Sequence, residues 1–343
     1  TLCDWSSDVC SSDLKFVTAI LHNISRQGLP DTAAIADPIA RLSVEASLPV
    51  WLINELVAQN GEAATRALVA TINDAPMQSV RVNTVLATDE EVVASLAAEN
   101  MTATPSQVAD HAYIVSGGHV ASSTAYQKGW LTLQDESAML PVESMHLTPA
   151  VKNVLDAAAA PGGKTTQIAA LVADDAQILA LDVHPHKIKL IEQNAMRLQV
   201  ADRIATQVLD ARQVPTEVAT KFDRILVDAP CSGFGLLRRK PEIRYDKTLE
   251  DVQNLARLQG EILDSVSQNV AENGMIVYST CTILRQENDD VIAQFLAKHP
   301  EFELVKTQTA HDLKADRQEA VLHIYPNDYH TDGFFVEIGR ASC

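Results

Sequence analysis

The feature that most constrains the fold is a regular alternation of apolar, strand-like segments with amphipathic, helix-like segments from Val151 onward. Short apolar runs predict strands, and the 3.6-residue periodicity of the intervening segments predicts helices. Such alternation is typical of a parallel sheet covered by helices, so we predict an α/β domain. The predicted strands are 153–157, 177–182, 203–208, 222–228 and 275–279, with a hairpin of 320–325 and 333–338; the predicted helices are 165–172, 186–198, 249–270 and 287–299.

The N-terminal part of the chain has a different pattern. Residues 15–75 are helical in character, because apolar side chains recur at i, i+3, i+4 and i+7. Strand-like segments at 80–84 and 111–115 then flank a helix-like segment at 89–99, which predicts a small α+β module. We predict these divisions: a helical region 15–77, the module 78–145 and the α/β domain 146–338.

Both ends of the sequence resemble translated sequencing adaptors. The segment 4–14 and the tail 338–343 match such translations, and the chain lacks an initiator Met. A native polar tail is the alternative. We expect 1–14 and 339–343 to be non-native and poorly packed, and natural residues to be missing at both ends.

The composition narrows the class of protein. With 46% hydrophobic and 21% charged residues the chain has enough apolar surface to fold, and its apolar runs fall short of the roughly 18 residues of a membrane span. No secretory signal pattern is present. The net charge of −18 argues against a generally basic nucleic-acid-binding surface, although a local basic stripe could still bind RNA. We expect a cytoplasmic monomer that does not associate with membranes.

A glycine-rich turn and three carboxylates indicate a nucleoside-type ligand. The turn 158–164 follows the first α/β strand, and its adjacent glycines match neither the dinucleotide-binding nor the P-loop spacing. By itself it could be a purely structural turn. However, Asp182, Asp210 and Asp228 lie at or just after the next three strands, at the sheet edge where ligands bind in such folds.

Two cysteines remain once the terminal segments are set aside. Cys231 and Cys281 each follow a predicted strand end. A lone cysteine is usually a small buried hydrophobe, but two at one sheet edge suggest nucleophilic chemistry. With two thiols we predict no disulfide framework, and without a local histidine partner we predict no zinc or other metal site.

Three motifs carry a family resemblance. Residues 159–165 (AAPGGKT), 228–233 (DAPCSG) and 279–281 (STC), in this order, resemble the RNA cytosine-5 methyltransferases of the NOL/NOP/Sun superfamily, and within it the RsmB/Sun/Fmu family of 16S rRNA methyltransferases. The resemblance extends over nearly all of 15–338. It implies a Rossmann-like S-adenosylmethionine-dependent methyltransferase domain, preceded by the small α+β module and the remnant of a NusB-like helical RNA-binding domain. The family usually has Cys where this chain has Ala158.

The resemblance also implies roles for individual residues. Cys281 would attack carbon 6 of cytosine, Cys231 would assist product release, and Asp228 would contact the base. The target base must be unpaired or flipped to reach the site. S-adenosyl-L-methionine would be held by Ala158, Ala159, Ala160, Pro161, Gly162, Gly163, Lys164, Asp182, Asp210 and Asp228.

The partner implied is 16S rRNA, before or during assembly of the small subunit. The densest basic run, Arg238-Arg239-Lys240, directly follows the Cys231 motif, and we predict that it contacts RNA phosphates, the alternative being a solvated surface. Two other functions stay open. The chain could methylate tRNA or another rRNA site, or it could be a non-catalytic RNA-binding assembly factor, although the intact motifs argue against the second.

Overall fold

The computed structural model describes residues 11–28, 31–314, 317 and 321–341, and these form N-terminal helices and two separate sheets. The first four helices are α1 (Ser11–Gln27), α2 (Pro38–Ala46), α3 (Val50–Asn60) and α4 (Glu62–Thr71). The apolar side chains of α1 are exposed. In contrast, Leu52 and Leu56 of α3 are fully buried in a cluster that includes Phe234 and Leu284 of the C-terminal part.

A small antiparallel sheet follows in the order β2-β3-β1-β4. Its strands are β1 (Gln78–Val82), β2 (Thr102–Pro105), β3 (Ala112–Ser116) and β4 (Leu131–Leu133). Helix α5 (Asp89–Ala98) begins at a capping box of Thr88 and Glu91. The sequence did not predict β2 or β4, because β2 is a largely exposed edge strand and β4 has three residues. Two short helices, α6 (Thr124–Gln127) and α7 (Leu140–Glu143), complete this part.

The large sheet has the order β10-β12-β9-β8-β5-β6-β7, with β11 paired to β12. Strands β5 to β9 run parallel, whereas β12 is antiparallel to β9, β10 and β11. This arrangement confirms the predicted α/β class; the sequence missed only β10. The strands are β5 (Asn153–Asp156), β6 (Gln177–Asp182), β7 (Ile204–Val208), β8 (Phe222–Asp228), β9 (Val270–Thr280), β10 (Phe302–Val305), β11 (Leu322–Ile324) and β12 (Phe334–Ala341).

Helices cover both faces of this sheet. One apolar core contains Val154, Ile168 and Val277, and the core on the opposite face contains Leu155, Ile262 and Phe295. Burial on both faces explains why the strands read as nearly continuous apolar runs. The helices are α8 (Gly163–Leu171), α9 (Pro185–Arg197), α10 (Val214–Glu217), α11 (Ile243–Asp246), α12 (Leu249–Val266), α13 (Asp289–Lys298) and α14 (Pro326–Tyr329).

One predicted boundary was wrong by several residues. We predicted a helix over 249–270, but α12 ends at Val266 and Val270 already belongs to β9. The side-chain amide of Asn269 donates to the carbonyl groups of Val218 and Thr220, which holds the chain in a turn there. Because these partners lie about fifty residues away in sequence, local periodicity does not reveal the stop.

The predicted poor packing of the ends is partly wrong. Leu14 in α1 is 59% exposed, as expected, and residues 1–10, 342 and 343 lie outside the described residues. Gly339 and Arg340, however, continue β12 and pair with Ile276 and Met275 of β9. Strand pairing uses backbone groups, so almost any sequence can extend a strand between two neighbours. None of the helices in the described ranges has an apolar stretch long enough to cross a bilayer.

Strand β1 connects the small sheet to the large domain through buried hydrogen bonds. Arg81 is 5% exposed and donates to Gln134 Oε1 at 2.5 Å, the Gly163 carbonyl at 2.8 Å and Thr166 Oγ1 at 3.1 Å. Since Gly163 begins α8, the small sheet supports the helix that follows the glycine-rich turn.

We predict that Arg81→Met lowers the free energy of unfolding by about 1–3 kcal/mol, because the buried carbonyl and amide oxygens lose their donor. Urea unfolding followed by circular dichroism measures this change. The control is Arg66→Met on the exposed face of α4, where the i,i+4 ion pair with Glu62 is worth only about 0.3–0.5 kcal/mol. Equal effects of the two substitutions would contradict a connecting role for Arg81.

Candidate active site

The candidate active site lies at the carboxyl ends of the parallel strands, where the loops after β5, β6, β7, β8 and β9 meet. A cavity of about 460 Å³ opens at this edge. Ligands bind here in open parallel sheets because successive loops converge. The cavity is lined by residues predicted from separate motifs: Ala158, Ala160, Asp182, Asp210, Asp228, Cys231 and Cys281.

The glycine-rich turn is held rigidly between β5 and α8. Gly162 has a φ of +100°, and a Cβ there would lie 3.1 Å from the Cα of Ile191. No other residue type fits this turn without strain. Behind it, Thr165 Oγ1 donates to Asp156 Oδ2 at 2.7 Å, and burial raises the pKa of Asp156 to about 7. The turn can therefore present its backbone closely to a ligand.

The acids at the ends of β6 and β7 differ in their partners. Asp182 accepts a hydrogen bond from the backbone N–H of His184 at 2.8 Å, and the Lys187 ammonium lies 3.9 Å away. Asp210 forms a 2.7 Å ion pair with Arg212, and this hydrogen bond holds the pKa of Asp210 below its usual value. Asp182 therefore has the carboxylate that is freer to bind a ligand hydroxyl.

Asp228 is fixed by two partners from other elements. Its Oδ2 lies 2.7 Å from Lys164 Nζ, and its Oδ1 accepts from Ser279 Oγ at 2.9 Å. The same ammonium lies 4.9 Å from the ring centre of Phe334. Sequence reasoning assigned Lys164 to the cofactor turn and missed both its pairing with Asp228 and the role of Ser279, since neither contact is local.

The structure brings the two thiols into contact. Cys231 Sγ and Cys281 Sγ are 3.3 Å apart, although fifty residues separate them. The hydrogen bond to Cys281, together with burial, holds the pKa of the Cys231 thiol well above its ordinary value. Cys231 therefore keeps its proton near neutral pH, and either sulfur can be the donor in this contact.

The predicted RNA contact at the basic run needs correction. Arg238 is buried and donates to a backbone carbonyl in the C-terminal part of the chain. Arg239 bridges two buried carboxylates, Asp135 at 2.6 Å and Asp332 at 2.8 Å. The internal carbonyl thus takes the guanidinium of the buried Arg238, whereas the side chain of Arg239 is 32% exposed despite its ion pairs. Arg239 and Lys240 are exposed and stay proposed RNA contacts.

Metal binding has no structural counterpart in the parts of the chain that are described. No group of three or more His, Cys, Asp or Glu side chains is placed there to hold an ion.

Comparisons with known proteins match both structured parts. Residues 144–338 match a family model described as "16S rRNA methyltransferase RsmB/F". Residues 48–120 match the ferredoxin-like domain of RsmF/B-like methyltransferases, a match that begins within the helical region and includes α3 and α4.

Individual relatives give the same picture. The chain is 38% identical over 325 residues to a probable ribosomal RNA small subunit methyltransferase B of Bacillus subtilis, covering 94% of this chain and 72% of that protein. It is 34% identical to ribosomal RNA small subunit methyltransferase B of Yersinia pseudotuberculosis, covering 84% of this chain and 65% of that protein. The solved structure described as "Crystal Structure of PH0851" is similar with a TM-score of 0.84 and 28% identity, covering 95% of this chain and 72% of that chain.

We predict that Cys281→Ala lowers the pKa of Cys231, because it removes the hydrogen bond that contributes most to raising it. Alkylation of Cys231 by iodoacetamide requires the thiolate, so its rate profile should move to lower pH. Peptide mass spectrometry across pH measures the rate at this cysteine alone. Glu62→Gln on the exposed face of α4 serves as control; an unchanged or higher pKa in Cys281→Ala would contradict the assignment.

Proposed function

The chain belongs to the RsmB/F family of 16S rRNA methyltransferases, and on that premise we propose that it methylates carbon 5 of a cytosine in 16S rRNA. The family predicted from the three sequence motifs is thus confirmed. The observation that supports the cytosine-5 chemistry is the pair of thiols 3.3 Å apart beside Asp228. One thiol can form a covalent bond to the base while the second assists a later proton transfer.

The cofactor of the family is S-adenosyl-L-methionine, and the site fits it. The turn at Gly162 permits close backbone approach, and Asp182 stands at the end of the second strand, a position that suits ribose hydroxyls. When bound, the cofactor supplies an electrophilic methyl group. The residues proposed to hold it are Ala158, Ala159, Ala160, Pro161, Gly162, Gly163, Lys164, Asp182, Asp210 and Asp228.

Carbon 5 of cytosine is a poor nucleophile until a thiolate adds to carbon 6. We assign this addition to Cys281, the cysteine of the STC motif, because the resemblance to the RNA cytosine-5 methyltransferases implies that role. As the sulfur–carbon bond forms, the π pair of the 5,6 double bond shifts between carbon 5 and carbon 4, and the π pair between carbon 4 and N3 moves onto N3. The resulting enamine-like system makes carbon 5 nucleophilic. Asp228, held by Lys164 and Ser279, would contact the polar edge of the base.

Product release requires two further bond changes. Solvent water takes the proton from carbon 5, the electron pair of that C–H bond restores the 5,6 double bond, and the Cys281 thiolate is expelled. Cys231 lies in contact with Cys281 and is placed to assist this step. The target base must be unpaired or flipped into the cavity, so we propose that the protein acts before or during small-subunit assembly. We also propose that it acts as a monomer in the cytoplasm. Arg239 and Lys240 would contact the RNA backbone.

We predict that the full chain binds S-adenosylmethionine without RNA and that Asp182→Ala weakens binding by about 10- to 100-fold, the usual cost of a lost charge-assisted hydrogen bond. Isothermal titration calorimetry measures the affinity. The control is Asp175→Ala, since Asp175 is exposed in the turn before the same strand and pairs with Lys152. A folded wild-type chain that does not bind would contradict the cofactor assignment.

We predict different defects for the two thiols. Cys281→Ser should lose methylation and form no RNA adduct, because a serine hydroxyl is almost un-ionised near neutral pH. Cys231→Ser should still attack but release product slowly, so a denaturant-resistant RNA adduct should accumulate.

Both effects are measured by incubating each variant with labelled S-adenosylmethionine and small-subunit rRNA and running denaturing gels. Mapping the labelled base then identifies the target. Transfer of the labelled methyl group to tRNA and not to 16S rRNA would favour a related enzyme with another substrate. RNA binding without any transfer would favour an assembly factor. An adduct from Cys281→Ser but none from Cys231→Ser would reverse the roles of the thiols.

A further inference from the structure

The residues that directly follow the two cysteines are joined by a hydrogen bond. Ser232 follows Cys231 in the loop after β8, and Thr282 follows Cys281 in the loop after β9. Their hydroxyl oxygens are 3.0 Å apart, and both residues are buried. The two thiol-bearing loops are therefore connected by side chains behind the cavity as well as by the contact of the sulfur atoms.

A buried carboxylate organises this connection. Glu287 is fully buried, and its Oε1 accepts from the Ser232 backbone N–H at 2.8 Å. Its Oε2 accepts from the Ser232 hydroxyl. Gln259 of α12 donates from Nε2 to Glu287 Oε1 at 3.1 Å and to the Pro230 carbonyl at 2.9 Å. The residues on both sides of Cys231 are thus held by this network.

The carboxyl group of Glu287 is costly to bury. Burial raises its pKa, and the hydrogen bonds that it accepts from Ser232, Gln259 and Thr282 oppose that rise. A buried carboxyl is tolerated only where such bonds compensate for lost hydration. The side chain has no contact with solvent, so Glu287 acts on the cavity through the residues that it holds and through its charge, which helps to raise the pKa of Cys231.

The two cysteines depend on this network to different extents. Cys281 directly follows β9, where Thr280 pairs with Phe335, and the Cys281 carbonyl accepts a hydrogen bond from the Gly235 N–H at 2.9 Å. Sheet pairing therefore fixes the backbone up to Cys281, whereas Thr282, the residue after it, shares the Glu287 network. The loop that carries Cys231 leaves β8 three residues earlier and is fixed by Glu287 and its partners.

We propose that Glu287 is a positioning residue that holds the Cys231 loop so that the Cys231 thiol stays in contact with Cys281. The placement itself follows from the contacts above; its consequence for catalysis rests on the proposed function. Loss of the network should move Cys231 further than Cys281, because β9 still holds the chain on the N-terminal side of Cys281. Attack on the base would then continue, whereas product release would slow.

The first test measures thiol proximity without RNA or cofactor. The full chain is used, with Cys3, Cys10 and Cys343 replaced by serine, and diamide as the oxidant. The two thiols give up two protons and two electrons, a bond forms between Cys231 Sγ and Cys281 Sγ, and the diazene of diamide is reduced to a hydrazine. Mass spectrometry follows the loss of two hydrogen atoms.

Glu287→Leu should slow this oxidation by about tenfold or more. Leucine has a similar size to glutamate, but it cannot accept the hydrogen bonds that hold the Cys231 loop. Glu287→Gln should restore a rate within about twofold of the parent, since its carbonyl oxygen still accepts from Ser232 N–H and its amide can donate to the Ser232 hydroxyl. The matched control, Glu62→Leu on the exposed face of α4, should oxidise like the parent. A folded Glu287→Leu that oxidises at the parent rate overturns the proposal.

The second test uses the methylation reaction. Glu287→Leu should accumulate a denaturant-resistant RNA adduct through Cys281, as Cys231→Ser does, and Glu287→Gln should not. If Glu287→Leu fails to fold, Ser232→Ala replaces it and should slow oxidation in the same direction; an unchanged rate there overturns the proposal. Slowed oxidation without methylation by the parent would support the positioning role and refute the proposed function. Methylation by the parent, together with an unchanged oxidation rate in Glu287→Leu, would support the proposed function and refute the positioning role.

Discussion

The parallel pairing of β8 with β9 is the constraint on which the rest of the site depends. Its register sets Asp228 opposite Ser279. Beyond this pair, both strands lead out of the sheet at the same edge. Cys231 lies three residues after Asp228, and Cys281 lies two residues after Ser279. A shift of one residue would turn the side chains to the other face and separate the sulfur atoms. The sheet therefore fixes where the thiols can meet, and the loops determine how closely.

Buried polar groups refine this arrangement. Arg81 supports the start of α8 from the small sheet, Asp156 fixes the glycine-rich turn from below, and Glu287 holds the Cys231 loop from behind. Removing the partner of any of these three side chains would destabilise the folded protein, because a desolvated donor or acceptor would be left unpaired. Together they connect the cavity wall to the small sheet, to α8 and to α12. The site is rigid because its supports come from separate elements.

The basic run shows the limit of reading charge from sequence. Arg238 and Arg239 stand beside the Cys231 motif, a position that suggested phosphate contacts. In the fold, carboxylates of Asp135 and Asp332 lie opposite Arg239, and they come from about a hundred residues away on either side. An arginine that pairs with internal carboxylates has part of its charge neutralised before RNA reaches it. That pairing depends on contacts between distant segments.

The sequence by itself determined the class of fold, the strand ends with their acids and thiols, and the family. These features are local, since strand periodicity, turn glycines and motif order are all read along the chain. Only the tertiary structure decided which of these side chains touch. The contact between Cys231 and Cys281, the pairing of Lys164 with Asp228 and the burial of Glu287 each join residues brought together by the sheet register and helix packing. Such contacts depend on geometry summed over the whole fold, which no local pattern contains.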